Sequence, residues 1–176
     1  MHDQTRLISN CIALLEQVAT LLARIDDQVY TSTSKLSPRG SIGGHLRHCL
    51  DFYQSFLSGI DRARIDYNLR ERDSLTERKT RHALHRIELT IAGLHSMSRT
   101  VQTTSPLVST ETHGNGVQSW CSSSVVRELE FLQSHTIHHY SLIAMLLRLQ
   151  GVEPGEGFGV APSTLEYWRE QAACVR

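Results

Sequence analysis

The chain has 176 residues and a formal net charge of zero, with 40% apolar and 20% charged residues. Such a chain is long enough for a substantial core, and its composition is globular rather than disordered. The neutral balance excludes the basic surface of a nucleic-acid binder. No apolar run approaches the ~20 residues that span a bilayer, and the N-terminus lacks the pattern of a signal peptide. We therefore expect a single cytoplasmic domain over 1–176, with neither nucleic acid nor membrane as a partner.

Apolar residues recur at helical spacing in four long segments, which predict helices over 4–30, 41–60, 75–102 and 124–150. Ser41 is the predicted N-cap of the second helix. The segments 31–40 and 61–74 are typical of loops. Together these features predict an all-α fold, a four-helix bundle with a long connection between its third and fourth helices.

The long connection and the C-terminal tail are less regular. Residues 103–122 contain Pro and Asn-Gly, which indicate either a short hairpin or an irregular crossover. The tail is irregular, rich in Gly and Pro, with a short helix predicted from Ser163. Its stretch "GFGVAPST", residues 157–164, is either a packing segment or a lid. The four cysteines are far apart and form no C-x-x-C pair, so free thiols are expected.

Three histidines cluster in "LQSHTIHHYSLI", residues 132–143. At ~100° per residue, His135 and His139 lie one turn apart inside the apolar stripe of the fourth helix, and His138 lies at its edge. Two imidazoles at i and i+4 can chelate one metal ion. The alternative is a pair of core histidines satisfied by hydrogen bonds. Glu128, on the same stripe, is either an acceptor for an imidazole N–H or a carboxylate favouring the helix N-terminus.

A third ligand can come from the second helix, where "GGHLRHCLDF" places His45 and His48 on adjacent turns. Either could reach the pair on the fourth helix, and periodicity alone does not choose between them. Tyr67 and Arg70, with Arg72, lie in the charged loop that follows. They either orient an anionic substrate or belong to a solvated loop.

Two stretches, "SIGGHLRHCLDF" and "RELEFLQSHTIHHYSLIAMLLR", together resemble the DinB-like (DinB/YfiT-like) superfamily. In that family a histidine follows a Ser-Ile or Ser-Val start by seven residues, and a later helix carries H-x-x-H-H. Mapped onto this chain, the resemblance implies His48, His135 and His139 as metal ligands, with His138 as a non-ligand. His45 is additional to the pattern and is assigned a second-shell or substrate-facing role. The tryptophan that commonly precedes the Ser-Ile start is absent here.

The resemblance implies a four-helix bundle that binds one divalent transition metal, and it does not distinguish Zn, Ni or Fe. It also implies a small metal-dependent enzyme, a hydrolase or thiol S-transferase, that activates water or a thiol. The substrate would be a small molecule such as a low-molecular-weight thiol, and a homodimer is expected. Two alternatives remain open. One is a non-catalytic metal-binding or stress-related interaction module, and the other is a structural bundle whose histidines serve hydrogen bonds.

Overall fold

A computed structural model describes residues 2–34, 40–100, 107–110 and 119–174 of the chain. Within these residues the fold is mainly helical, as predicted, and it adds a small sheet of three short strands. In chain order the elements are α1 His2–Leu22, α2 Asp27–Thr31, α3 Ile42–Ile60, β1 Arg64–Asp66, α4 Ser74–Arg78, α5 Thr80–Thr100, β2 Leu107–Thr110, β3 Cys121–Ser123, α6 Val125–Leu149 and α7 Pro162–Cys174. None of the helices in the described part of the chain combines the length and apolar character that crossing a bilayer requires.

The four long helices pack against one another around one cluster of buried side chains. Helices α1 and α3 each contact both α5 and α6. The second and fourth predicted helices are confirmed, and each begins after a serine N-cap. The Ser41 hydroxyl accepts a hydrogen bond from the Gly44 N–H at 3.0 Å, and the Ser124 hydroxyl accepts one from the Arg127 N–H at 3.2 Å. The apolar face predicted for α3 is buried throughout.

Two of the predicted helices are each broken into a long and a short piece. The predicted helix over 4–30 is α1 followed by α2, because Asp26 adopts an extended conformation and its carboxylate accepts the Val29 N–H at 2.8 Å. The predicted helix over 75–102 is α4 followed by α5, because Lys79 between them is extended. The Asp27 carboxylate accepts hydrogen bonds from the Thr80 N–H at 2.9 Å and the Thr80 hydroxyl at 3.0 Å, which fixes the start of α5.

The small sheet has the order β1-β2-β3 and connects the ends of α3 and α6. Strand β1 pairs in parallel with β2, and β2 pairs antiparallel with β3. The loop predicted over 61–74 is therefore wrong at β1, where Ile65 is fully buried. The pairing of β2 with β3 agrees with the hairpin alternative for 103–122, and the turn predicted around Asn115-Gly116 lies outside the described residues.

The C-terminal tail packs against α6. The Phe158 ring is stacked on Tyr140, with centroids 4.9 Å apart, and the Ser141 hydroxyl donates to the Gly159 carbonyl at 2.6 Å. Gly159 has a φ of 73°, and a Cβ there would lie 2.7 Å from the Tyr140 backbone. This close approach requires glycine, and it agrees with the interpretation of 157–164 as a packing segment. Helix α7 agrees with the short helix predicted from Ser163.

Candidate metal centre

Helices α3 and α6 bring three of the predicted histidines together. The Nε2 atom of His135 lies 3.2 Å from Nε2 of His48 and 3.1 Å from Nε2 of His139. All three side chains are half-buried, and as a group they could hold a metal ion. His48 comes from the second turn of α3, and the other two lie one turn apart on α6. The inward face predicted from the helical period is the face that meets α3.

The spacing of these nitrogens suits a shared ion better than a hydrogen bond. A ring nitrogen offers one proton or one lone pair, so a single hydrogen bond cannot satisfy both contacts of His135 Nε2. For a tetrahedral ion with Zn–N bonds of about 2.0–2.1 Å, ligand nitrogens are about 3.3 Å apart. The observed distances of 3.1 and 3.2 Å are close to that spacing. The three residues therefore fit a metal ion.

Burial keeps these imidazoles in the neutral form that ligates metals. It is the largest cause of the lowered pKa of each, to about 4 for His48 and His135 and about 3 for His139. Mutual repulsion among the clustered rings lowers each pKa further. At neutral pH each ring therefore carries one proton and offers one lone pair.

His45 contacts the group from behind His139. Its Nδ1 lies 2.9 Å from Nδ1 of His139. A neutral His139 that offers its Nε2 lone pair carries its proton on Nδ1, and that proton can be donated to His45. Such a partner fixes the tautomer and orientation of a ligating imidazole. His138 is exposed, with its ring centroid 5.2 Å from that of His139, and it lies outside the group of three.

An aromatic wall, formed by Phe52, Tyr67 and Phe131, covers one side of the histidine group. The Phe52 ring centroid is 4.4 Å from that of His135 and 4.9 Å from that of His48. Phe131 stacks on His135 at 5.5 Å, and Tyr67 stacks on Phe52 at 5.1 Å. The sequence analysis did not single out either phenylalanine as part of the site. The available signal was spacing, because Phe52 follows His48 by one helical turn and Phe131 precedes His135 by one.

Glu128 supports this wall rather than an imidazole. Its fully buried carboxylate accepts hydrogen bonds from the Tyr67 hydroxyl at 2.6 Å, the Arg127 guanidinium at 2.9 Å and the Ser123 hydroxyl. It also lies in the first turn of α6. Tyr67, predicted to face solvent or substrate from a charged loop, is 3% exposed with its hydroxyl engaged by this carboxylate. A cleft of about 150 Å³ lies on the other side of the wall, against Tyr67, Arg127 and Phe131.

Arg70 is a charged group beside the face of α3 that carries His48. Its Nη1 lies 3.4 Å from His48 Nδ1, and its guanidinium carbon is 5.4 Å from the centroid of the Phe52 ring. Its Nε is buried and has no hydrogen-bond partner among the described residues. Arg72, in the same loop, is exposed. Two larger cavities, of about 790 and 660 Å³, share Asp27 and Lys79 in their linings, and neither is lined by His48, His135 or His139.

A family model for the DinB family matches residues 2–169. The chain belongs to the DinB family. The match includes both histidine-bearing helices, α3 and α6, and most of α7. No curated protein and no solved structure is significantly similar to this DinB-family chain.

Proposed function

We propose that this DinB-family protein is a small metal-dependent enzyme with a single divalent-metal site formed by His48, His135 and His139. The observation that carries the proposal is the convergence of three imidazole nitrogens at the interface of α3 and α6. Nε2 of His135 lies 3.2 Å from Nε2 of His48 and 3.1 Å from Nε2 of His139. The packing of α1, α3, α5 and α6 supports describing the fold as a four-helix bundle.

Three neutral nitrogen ligands leave at least one position for substrate or solvent, which is typical of catalytic rather than structural sites. A divalent ion bound there would supply Lewis-acid activation of a water or a thiol. The surrounding residues have separate tasks. His45 accepts a hydrogen bond from the Nδ1–H of His139, which leaves the Nε2 lone pair of His139 free for the ion. Phe52 and Phe131 exclude water from one side of the group. These features support a hydrolase or a thiol transferase, acting on a small molecule.

Elemental analysis of the purified protein tests the metal site. We expect about one divalent ion per chain in the wild type, and little in His48→Ala, His135→Ala or His139→Ala. His138→Ala is the matched control, because it removes an exposed histidine from the same helix and should retain the metal. A wild-type chain that takes up no metal at micromolar concentration would overturn the proposal. Retention of the metal by the single variants His48→Ala, His135→Ala and His139→Ala would overturn it as well.

A second measurement addresses catalysis. The metal-loaded wild type and His135→Ala are assayed with a panel of thiols plus electrophiles and with a panel of amides. Turnover that the wild type shows and the variant lacks supports an enzyme. A metal-loaded protein with no turnover in either panel would favour the non-catalytic metal-binding module.

A further inference from the structure

Arg70 is a cation beside the histidine group that has no direct ion pair with an acidic residue among the described residues. Among the described residues its side chain forms no ion pair, and its single side-chain hydrogen-bond contact is the 3.4 Å approach to His48. The side chain is half-buried, and its buried Nε has no partner. A desolvated donor without an acceptor is costly, so an unpaired buried Nε in a folded protein calls for an explanation.

The nearby carboxylates are already paired with other arginines. The buried Asp51 accepts from Arg47 at 2.7 Å, and Glu71 accepts from Arg86 at 3.1 Å. Arg70 therefore acts on Asp51 only through space, without a direct ion pair, and lies next to a group of neutral imidazoles. A divalent ion at those imidazoles would add positive charge to the same place, so the site as a whole attracts an anion.

The contact with His48 changes when that residue acts as a metal ligand. A neutral His48 that offers its Nε2 lone pair carries its proton on Nδ1. The guanidinium has donors and no acceptor, so it cannot form a hydrogen bond with this tautomer. The two Nη groups of Arg70 are then free for an external acceptor, whereas Nε stays buried. A carboxylate matches the spacing of two guanidinium N–H groups and accepts from both.

We propose that Arg70 recognises a carboxylate on the substrate while the reacting group of the same molecule occupies the open position at the histidines. The inference rests on the proposed metal site and deepens it, by naming the substrate class as small carboxylate-bearing molecules. The buried Phe52 ring packs against both the guanidinium and the His48 imidazole, which holds the two groups side by side.

The test uses the Co²⁺-loaded protein and two thiols, mercaptopropionate and mercaptopropanol, which differ in carrying a carboxylate or a hydroxyl. Thiolate binding to Co²⁺ is followed by its charge-transfer absorption. We expect the wild type to prefer mercaptopropionate, and Arg70→Gln to reduce that preference by about tenfold or more, the range for a hydrogen-bonded charged group. Any direct contact of the carboxylate with the ion persists in Arg70→Gln and so does not contribute to the change.

Arg72→Gln is the matched control, since it removes an exposed arginine of the same loop and should leave the preference unchanged. Arg70→Lys keeps the charge, loses the fork and should show an intermediate preference. It also serves if Arg70→Gln does not fold. An equal preference in the wild type and both Arg70 variants would overturn the inference while leaving the metal site standing. Failure of the wild type to take up Co²⁺, measured first, would overturn the proposed function and this inference with it.

Discussion

Removing the Tyr67 hydroxyl should destabilise the fold although the substitution leaves every ring of the aromatic wall in place. Tyr67 donates to the Glu128 carboxylate at 2.6 Å, and the two residues are 3% and 0% exposed. A hydrogen bond to a charged group contributes about 1.5–3 kcal/mol, and a buried acceptor that loses a donor is not rescued by water. We expect Tyr67→Phe to lower the free energy of unfolding by that amount.

Glu128→Gln should lower the free energy of unfolding by a similar amount, for a different reason. The carboxylate receives donors from Tyr67, Ser123 and Arg127, whereas an amide has one acceptor oxygen and places its own N–H donors against the others. The double variant completes a thermodynamic cycle. Because both single changes break the same bond, we expect a coupling energy of about 1 kcal/mol or more.

Urea unfolding followed by circular dichroism measures these differences, provided the dependence on urea concentration stays constant between variants. Tyr167→Phe is the matched control. Tyr167 is 57% exposed, so loss of its hydroxyl should change stability by less than about 0.5 kcal/mol. If Tyr67→Phe is as stable as this control, or if the effects of the two changes at Tyr67 and Glu128 simply add, the hydrogen bond does not stabilise the wall as argued.

Three further predictions follow from the described contacts. His45→Ala should weaken Zn²⁺ binding by about 10–100-fold without abolishing it, measured by competition with a chromophoric chelator; an unchanged affinity would contradict a supporting role. Cys121 should react rapidly with a disulfide reagent in the native protein, whereas Cys49 should react only on unfolding, because burial raises the pKa of the Cys49 thiol. Cys121→Ser should therefore lose a rapid phase that Cys49→Ser keeps, and the reverse pattern would refute the assignment. Burial raises the pKa of Asp73, but hydrogen bonds, chiefly from the Thr76 hydroxyl, outweigh it and hold the pKa at about 2. A lowered pKa stabilises the folded state above the unfolded value of about 3.9, so the stability advantage of wild type over Asp73→Asn should shrink as the pH falls from about 4 to 2 in urea titrations; a constant difference would exclude this linkage.

The extent of the helices could be predicted where the signals are local. Helices α3 and α6 have serine caps at their starts and apolar residues at the helical period throughout. The break at Asp26 was missed because the apolar pattern continues across it, and the break at Lys79 was missed because no proline or glycine marks it. The start of α5 depends on Asp27, which is 53 positions away in the chain and binds the Thr80 N–H. No window of neighbouring residues contains that interaction.

The histidine group shows the same division. Spacing alone placed His135 and His139 on one inward face of α6. It left His45 and His48 as alternatives, and the resemblance to a family was needed to favour His48. In the structure both contact the α6 pair, His48 through its Nε2 and His45 through its Nδ1. Which ring nitrogen contacts which partner depends on how α3 and α6 are rotated relative to each other. The helical period of either segment gives no information about that rotation.

The bond between Tyr67 and Glu128 could not have been predicted either. The two residues are 61 positions apart, and Tyr67 lies just beyond a strand that was expected to be a loop. The pairing of β1 with β2 places Tyr67 next to Glu128 of α6 and Phe52 of α3, which buries a tyrosine from a charged segment. A short strand with one buried residue has too little pattern to be distinguished from a loop.

The histidines that converge at α3 and α6 are 87 positions apart in the chain, so the group exists only after the last long helix has docked. Any ion held by this group therefore binds the folded chain and not a short segment of it. By mass action, a free ion concentration about 100 times the dissociation constant would add about 2.7 kcal/mol to the free energy of unfolding. The supply of the ion would then govern how long the protein survives proteolysis in the cell, independently of any reaction at the site.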